Sequence, residues 1–351
     1  MTKYHQFSSS VLNWYRQHAR NLPWRQTRDP YLIWLSEVIL QQTRVQQGLP
    51  YFEKFKKYFP TVIDLANAPE ELVLRHWQGL GYYSRARNLH KTAKYVSNDL
   101  KGIFPNSYIT LLELPGIGPY SAAAISSFAF DEHQAVVDGN VFRILSRYFG
   151  LENDIADSKN RKVFADLANE LMPNGKAALF NQAIMEFGSL QCSPIPDCSN
   201  CPLMDSCYAF ANNSVSNLPI KTKKTKISLR FFHYFVIEQN GSFLVQKRLN
   251  KDIWHSLYEF YLVEDSDTRD LGYLLENDKF LQNFKGLWRE LNPLKPHQLS
   301  HQKIFSKAWH IQIPDNFVVE NHGNFEWKTA SEFDNLGKSV LIKNLVIDNQ
   351  L

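Results

Sequence analysis

Across residues 212–230 the chain changes the period of its hydrophobic pattern, and each pattern has to be buried in a layer of its own. Upstream the pattern is helical. Tyr31 to Gln42 (YLIWLSEVILQQ) carries apolar residues at 32, 35, 38 and 39, the spacing of one helix face. Asn67-Ala68-Pro69-Glu70-Glu71 reads as a cap residue, a proline in a first helical turn, and acids beside the helix dipole. Val163–Leu171 and Phe180–Phe187 are further amphipathic segments. Downstream, strand signals take over. Phe231–Glu238 (FFHYFVIE) is aromatic and β-branched, and the turn pair Asn240-Gly241 leads into Ser242–Lys247 (SFLVQK), which reads as a hairpin. Tyr258–Val263 and Lys303–Ile313 also read as strands, and Leu336–Ile347 as a closing helix. The expectation is a multidomain chain with an all-α block over 1–211, a linker over 212–230, and an α+β block over 231–351.

The length supports that division. The chain has 351 residues, enough for two or three cores, and 44% of them are hydrophobic. Such a composition excludes a disordered, collagenous or disulfide-scaffold protein. The formal charge is only +4. Its excess is concentrated in the linker, where Lys221, Lys223, Lys224, Lys226 and Arg230 stand without an acid, while the block beyond is acidic on balance. A basic linker can neutralise phosphates and make binding salt-dependent, and composition alone fits a solvated tether equally well. The start, MTKYHQFSSSVLNWYRQHAR, has no apolar core run followed by small residues, and no stretch reaches the ~18–20 apolar residues that span a bilayer. The expectation is an intracellular, cytoplasmic protein that makes no use of a membrane.

Three local patterns carry chemistry. In Leu-Pro-Gly-Ile-Gly-Pro-Tyr-Ser-Ala-Ala-Ala (114–124), Gly116 and Gly118 bracket a hydrophobic residue in a tight turn. Pro119 suits a first helical turn. Such a turn aims backbone N–H groups at a helix N-terminus, a site for a phosphate oxygen. It resembles the hairpin of a helix-hairpin-helix DNA-binding element. Asp138, twenty residues after Gly118 in VVDGNVFRI, is by itself a helix cap. After such a hairpin the pair resembles the helix-hairpin-helix DNA glycosylase superfamily, in which an aspartate at this point faces the sugar of a flipped-out nucleotide. The four cysteines, Cys192, Cys198, Cys201 and Cys207, follow a C-x5-C-x2-C-x5-C spacing. Four thiolates so close in a chain without a secretory signal suit zinc or a 4Fe-4S cluster, and the spacing alone does not choose. In this context the loop is similar to the cluster loop of the endonuclease III and adenine-glycosylase branch. That branch usually has six residues in the first gap where this chain has five. Four cysteines leave no open coordination position for hydrolysis, so the expected cluster is structural and DNA-contacting.

Longer strings narrow the resemblance. Trp14-Tyr15, Leu22-Pro23-Trp24-Arg25, Asp29-Pro30-Tyr31, Trp34 through Thr43, and Gly79 through Leu89 together resemble the adenine DNA glycosylases, the MutY family. Endonuclease III-type members that nick DNA have a Schiff-base lysine in the hairpin helix, and the matching position here is Tyr120, which has no amine. The resemblance makes Glu37 the expected catalytic acid and Asp138 the carboxylate beneath the sugar. A carboxylic acid with a raised pKa can protonate ring nitrogen seven of adenine, and an apolar pocket would raise it. Leu40, Ile39 and Trp34 are close enough in sequence to supply one. An ionised partner, held by backbone N–H groups, then stabilises the oxocarbenium ion.

The resemblance further implies that Tyr120 and Asn140 orient the catalytic groups and water. Arg25 and Gln42 are implied to line the adenine pocket, and Leu80 and Tyr82 to wedge into the base stack. The block over 231–351 resembles the family's Nudix-like domain, implied to recognise 8-oxoguanine on the opposite strand. Its Phe-Ser-His-like loop corresponds to Leu299-Ser300-His301, with leucine in place of the aromatic. Phe142 stands where some members have a basic residue. Arg289-Glu290, the nearest match to a Nudix metal helix, runs into Pro293 without further glutamates, so pyrophosphohydrolase chemistry is not expected.

The resulting expectation is a monofunctional adenine DNA glycosylase with a 4Fe-4S cluster. It would act as a monomer in base excision repair on double-stranded DNA carrying adenine opposite 8-oxoguanine or guanine, near the nucleoid. The rival readings are a bifunctional pyrimidine-lesion glycosylase and lyase of the endonuclease III type, and a non-catalytic DNA-binding protein.

Overall fold

The structure, a computed structural model, describes residues 2–222, 226–319 and 324–351. Lys223 and Lys224, two of the five linker charges, lie outside the described residues. The chain forms two compact units. One comprises residues 1–67 with 88–223, and the other residues 68–87 with 224–351. The boundary near 224 falls within the linker expected from sequence. The short segment 68–87 packs with the second unit although the chain re-enters the first unit after it. No helix among the described residues is long and apolar enough to cross a membrane.

The first unit is helical. Its larger core gathers Phe7, Val11, Ile144, Phe164, Phe180 and Phe187 from helices far apart in sequence. Phe142 belongs to this core and meets the Phe164 ring edge-on at 4.8 Å. A smaller core joins the helix Pro30–Leu40 to the helix Pro119–Phe130 through Ile33, Ala123, Ala124 and Phe128. The alanines let the two backbones approach closely. Pro30–Leu40 starts on Asp29, whose carboxylate accepts the Tyr31 N–H at 2.9 Å, with proline in the first turn. Residues 33–39 of this helix are all buried, so it is an internal helix rather than an amphipathic surface one.

The second unit holds a mixed sheet of seven strands among the described residues. These are β1 (Ser228–Gln239), β2 (Ser242–Lys247), β3 (Tyr258–Asp265), β4 (Arg289–Glu290), β5 (His297–Gln298), β6 (Gln302–Gln312) and β7 (Phe325–Thr329). The order is β4-β6-β1-β3-β2-β7, with β5 also on β6. β1 and β6 pair in parallel and the other neighbours are antiparallel. The β1–β2 hairpin turns at Asn240 and Gly241, both with positive φ (51° and 68°), as a two-residue turn requires. The expected strands are present, and the closing helix runs Val340–Asn349.

Arg289-Glu290, the nearest match to a Nudix metal helix, is a two-residue exposed strand on β6. Two expectations need correction. Asn67 ends the helix Val62–Asn67 and does not cap the next one, whose N-cap residue is Pro69 without a side-chain bond. Arg230 is part of β1, not a tether. Its guanidinium pairs with Asp252 (2.7 Å) and Glu264 (2.6 Å) and lies over the Phe232 ring, so its charge is consumed inside the unit. Lys221 and Lys226 remain exposed.

Candidate active site

A cavity of about 500 Å³ opens in the first unit and is lined by both Glu37 and Asp138. Each arrives on a different device. Glu37 comes from the last turn of the buried helix Pro30–Leu40 and is itself buried. Tyr120 comes from the first turn of Pro119–Phe130, the hairpin helix, and its hydroxyl donates to Glu37 Oε2 at 2.7 Å. Close packing of these two helices makes that bond possible. Asp138 is the N-cap of the helix Gly139–Phe149. Its Oδ1 accepts the N–H groups of Asn140 and Val141, both at 2.9 Å, and its Oδ2 accepts from the Asn140 amide at 2.8 Å. Arg143 donates to Asn140 Oδ1 at 2.8 Å, fixing that amide's orientation.

The two carboxylates differ electrostatically. Burial pushes Glu37 up to about 7, with nearby Asp138 adding to the rise and the Tyr120 hydrogen bond and Arg25 opposing it. Burial also raises Asp138, against the pull of its two amides, Asn140 and Arg143. The sequence suggested that the amides would dominate there. They are present, but burial outweighs them. Tyr120 is held neutral by burial and by the neighbouring carboxylates.

The apolar lining is only partly the one expected. Leu40 faces the cavity with Leu22, Trp24, Ile33 and Phe128. Ile39 and Trp34 are not among the lining residues. Trp34 is buried against Phe104, with ring centroids 5.4 Å apart.

Arg25 lines the cavity but is committed to Glu186, a buried residue that sequence reasoning missed. Both guanidinium nitrogens reach the Glu186 carboxylate at 2.8 and 3.0 Å, and Arg20 grips it from another side at 2.6 Å. Burial alone would raise Glu186, but the two arginines hold it down at about 2. The available signal was a lone acid inside the apolar run Phe180–Phe187. Gln42 is exposed, outside the lining, and adopts a left-handed backbone (φ 59°) just past the helix end.

The hairpin glycines have different surroundings. Gly116 has φ 81°, and a Cβ there would press on Asn88 and Thr92. Gly118 has open space around it at the N-cap of the hairpin helix, leaving that backbone approachable. A third glycine governs the site itself. A Cβ on Gly188, in the helix Ala177–Leu190, would lie 2.8 Å from the Asn140 carbonyl oxygen. Gly188→Ala is therefore expected to destabilise the first unit by about 1–3 kcal/mol through overpacking, read as a lower denaturant midpoint with an unchanged slope. An unchanged midpoint would show that the two helices can separate freely.

Cys192, Cys198, Cys201 and Cys207 line one small cavity beside Arg147, and none is in a disulfide. Arg147 reaches Cys192 Sγ at 3.6 Å and the Ser193 carbonyl at 2.7 Å. Gly150, the left-handed C-cap of the Asp138-bearing helix, abuts Tyr208 next to the last cysteine, where a Cβ would lie 2.6 Å from the ring. Among the described residues, no three His, Cys, Asp or Glu side chains converge tightly enough to hold one metal ion.

A second cavity, of about 480 Å³, belongs to the second unit. It brings the 79–87 segment together with the turn Leu299-Ser300-His301 between β5 and β6. Leu80 is buried, whereas Tyr82 is 45% exposed with a left-handed backbone (φ 48°), so of the two the tyrosine is the one open to solvent. The Trp77 indole donates to the Gly81 carbonyl at 2.9 Å and holds the loop behind it. Ser300 Oγ is 3.1 Å from His301 Nδ1, and both residues are exposed.

Comparison with known proteins agrees with both units. Residues 35–170 match the profile of the HhH-GPD superfamily base excision DNA repair proteins, and residues 233–347 match a NUDIX domain. The chain is 35% identical to the adenine DNA glycosylase of Buchnera aphidicola subsp. Baizongia pistaciae over 92% of its length and 90% of that protein. It is 40% identical to the adenine DNA glycosylase of Rattus norvegicus, covering 97% of this chain and 77% of that one. Among solved structures, a thermostable thymine-DNA glycosylase superposes with a TM-score of 0.56 at 33% identity, over 60% of this chain and 97% of that one. An endonuclease III–DNA complex superposes with a TM-score of 0.53 at 21% identity, over 61% of this chain and 99% of that one, a likeness of fold.

Proposed function

The chain belongs to the adenine DNA glycosylases of the HhH-GPD base excision repair superfamily, and from that premise we propose that it hydrolyses the N-glycosidic bond of adenine mispaired with 8-oxoguanine or guanine in double-stranded DNA. The observation that carries the reading is the shared cavity of Glu37 and Asp138, with Glu37 pushed up to about 7. At neutral pH a large fraction of Glu37 then holds a proton it can deliver to adenine nitrogen seven. Departure of the neutral base leaves positive charge on the sugar, and Asp138 is the carboxylate placed to stabilise it. Asn140, pinned between Asp138 and Arg143, orients that carboxylate, and Tyr120 orients Glu37. Water completes the hydrolysis and leaves an abasic site.

The cavity is too small for a duplex, so adenine has to leave the stack to enter it. Tyr82 is the aromatic suited to fill the space left behind. The hairpin amides at Gly116 and Gly118 are suited to a phosphate, with Gly118 unobstructed. Ser300 and His301 are the polar groups positioned to meet the opposite base. Cys192, Cys198, Cys201 and Cys207 would hold a 4Fe-4S cluster. A single zinc ion needs four sulfurs about 2.3 Å from one point. Four cysteines around one cavity can also hold a cluster that spreads its thiolates over four irons, and that is the group the family resemblance implies. When bound, the cluster supplies bonds that tie the loop together and no open position for hydrolysis.

The acid assignment carries a pH dependence. Glu37 must be protonated, so excision is expected to fall as pH rises through about 7. The Tyr120 hydrogen bond lowers that value, so Tyr120→Phe is expected to move the alkaline limb to higher pH. Single-turnover rates between pH 5 and 9 test this, and an unmoved limb would remove Tyr120 from the tuning of Glu37. The function itself is tested by single-turnover excision on duplexes with adenine opposite 8-oxoguanine, guanine or thymine. Cleavage confined to the first two is the expected result. High-yield borohydride trapping of a covalent protein–DNA adduct would instead support the bifunctional lyase reading, for which Tyr120 offers no amine.

A further inference from the structure

The second unit's cavity has a floor that the lesion-reading assignment does not account for. Trp254 and His297 meet there edge-on, ring centroids 5.6 Å apart and planes at 64°. Trp254 also meets Phe232 edge-on at 6.1 Å. Its backbone is left-handed (φ 60°), as is that of Ser256 (φ 65°). A bulky residue in that region is strained and persists only where its surroundings enforce it.

The surroundings are explicit. The Ser256 N–H donates to the Arg248 carbonyl at 2.8 Å, and the Arg248 N–H donates to the Leu257 carbonyl at 2.9 Å. Arg87 donates to the His255 carbonyl at 2.8 Å, tying the loop to the segment that carries Tyr82. Asp252, at the start of the loop, accepts from Arg230 at 2.7 Å and from Arg248 at 3.3 Å. A loop fixed by Arg248, Arg87 and Arg230, holding one buried aromatic in a strained conformation, is preorganised. Burial lowers His297, so at neutral pH its ring is uncharged and carries one N–H and one bare nitrogen.

We propose that His297, held in the floor of the cavity by the buried Trp254 ring behind it, is a specificity-determining residue that reads the base opposite the excised adenine. This rests on the lesion-reading role proposed above for Ser300 and His301. Trp254 is a positioning residue, buried between Phe232 and His297, that fixes the plane of the imidazole. His297 supplies a polar edge that has to be matched. Guanine presents a bare nitrogen at position seven, whereas 8-oxoguanine presents an N–H there and a carbonyl at position eight. An imidazole in one tautomer cannot serve both edges equally.

The test is the ratio of dissociation constants for two duplexes, one with 8-oxoguanine and one with guanine opposite a non-cleavable adenine analogue. His297→Phe keeps the ring contact with Trp254 and deletes both ring nitrogens. It is expected to change the ratio by roughly five- to tenfold, the worth of about one hydrogen bond. His297→Gln, which restores a donor and an acceptor, is expected to recover most of the ratio. A merely structural histidine would weaken both duplexes alike. Ser300→Ala, measured in parallel, separates the two levels. If Ser300→Ala moves the ratio and neither His297 variant does, the floor is not a reader and the inference fails alone. If none of the variants moves it, the lesion-reading role of this cavity fails with it.

Discussion

Glu37→Gln is expected to slow excision by about 10²–10⁴-fold while leaving affinity for the mispaired duplex close to that of the unaltered chain. The substitution is nearly isosteric in a buried position, so packing around the helix Pro30–Leu40 is retained. Its carbonyl oxygen can still accept the Tyr120 hydroxyl, now 2.7 Å from Oε2. What is lost is the transferable proton, and nothing else among the lining residues replaces it. Arg25 and Arg20 are committed to Glu186, which is held near 2 and ionised throughout the working range. Asp138 is engaged by three hydrogen bonds at the helix start. The variant's residual rate should also lose the alkaline limb near pH 7. Single-turnover kinetics alongside a binding titration read both quantities. Excision at near the original rate would mean that another group protonates the base.

Much of this site is legible in the residues, for physical reasons that also set the limit. Asp138 before Gly139 and Asn140 reads as a helix cap because capping is local, and the structure shows that cap. Asn240-Gly241 reads as a hairpin turn because its two positive φ angles are intrinsic to those residue types. Long-range pairing is not written locally. Glu186 lies 161 residues from Arg25, and nothing near either residue predicts that they share an ion pair. Trp34 and Ile39 sit close to Glu37 in sequence, yet a helix turns them away from the cavity, and Ile33, Trp24 and Phe128 take their place. Arg230 counts as a free linker charge in a composition sum, but Asp252 and Glu264 become its neighbours only when the sheet forms. The segment 68–87 reads as one more piece of the helical block. Its packing with the second unit depends on contacts such as Glu71 with Lys247 (2.7 Å) and the Tyr83 hydroxyl with the Lys338 carbonyl (3.1 Å).

Asp138→Asn separates chemistry from folding more sharply than removal of the side chain would. Asparagine is as good an N-cap as aspartate, so its oxygen can keep the N–H groups of Asn140 and Val141. Its new N–H₂ would face the Asn140 amide, which now donates to Oδ2, and that clash costs about one hydrogen bond, ~1 kcal/mol. A second effect opposes it. The folded protein raises Asp138, so burying the ionised form lowers stability, increasingly as pH rises above the carboxylate's unfolded value. Asparagine is neutral and free of that penalty. The melting temperature at pH 7 is therefore expected to stay within a few degrees, while Asp138→Ala, lacking the cap, loses about 0.5–2 kcal/mol. Excision should respond differently, falling by about 10²–10³-fold in Asp138→Asn because the developing charge on the sugar meets a dipole instead of an anion. Thermal melts and single-turnover rates on the same preparation decide the matter. A large drop in melting temperature would trace the loss of rate to the helix start, and an undiminished rate in a stable variant would mean the oxocarbenium ion is stabilised by some other group.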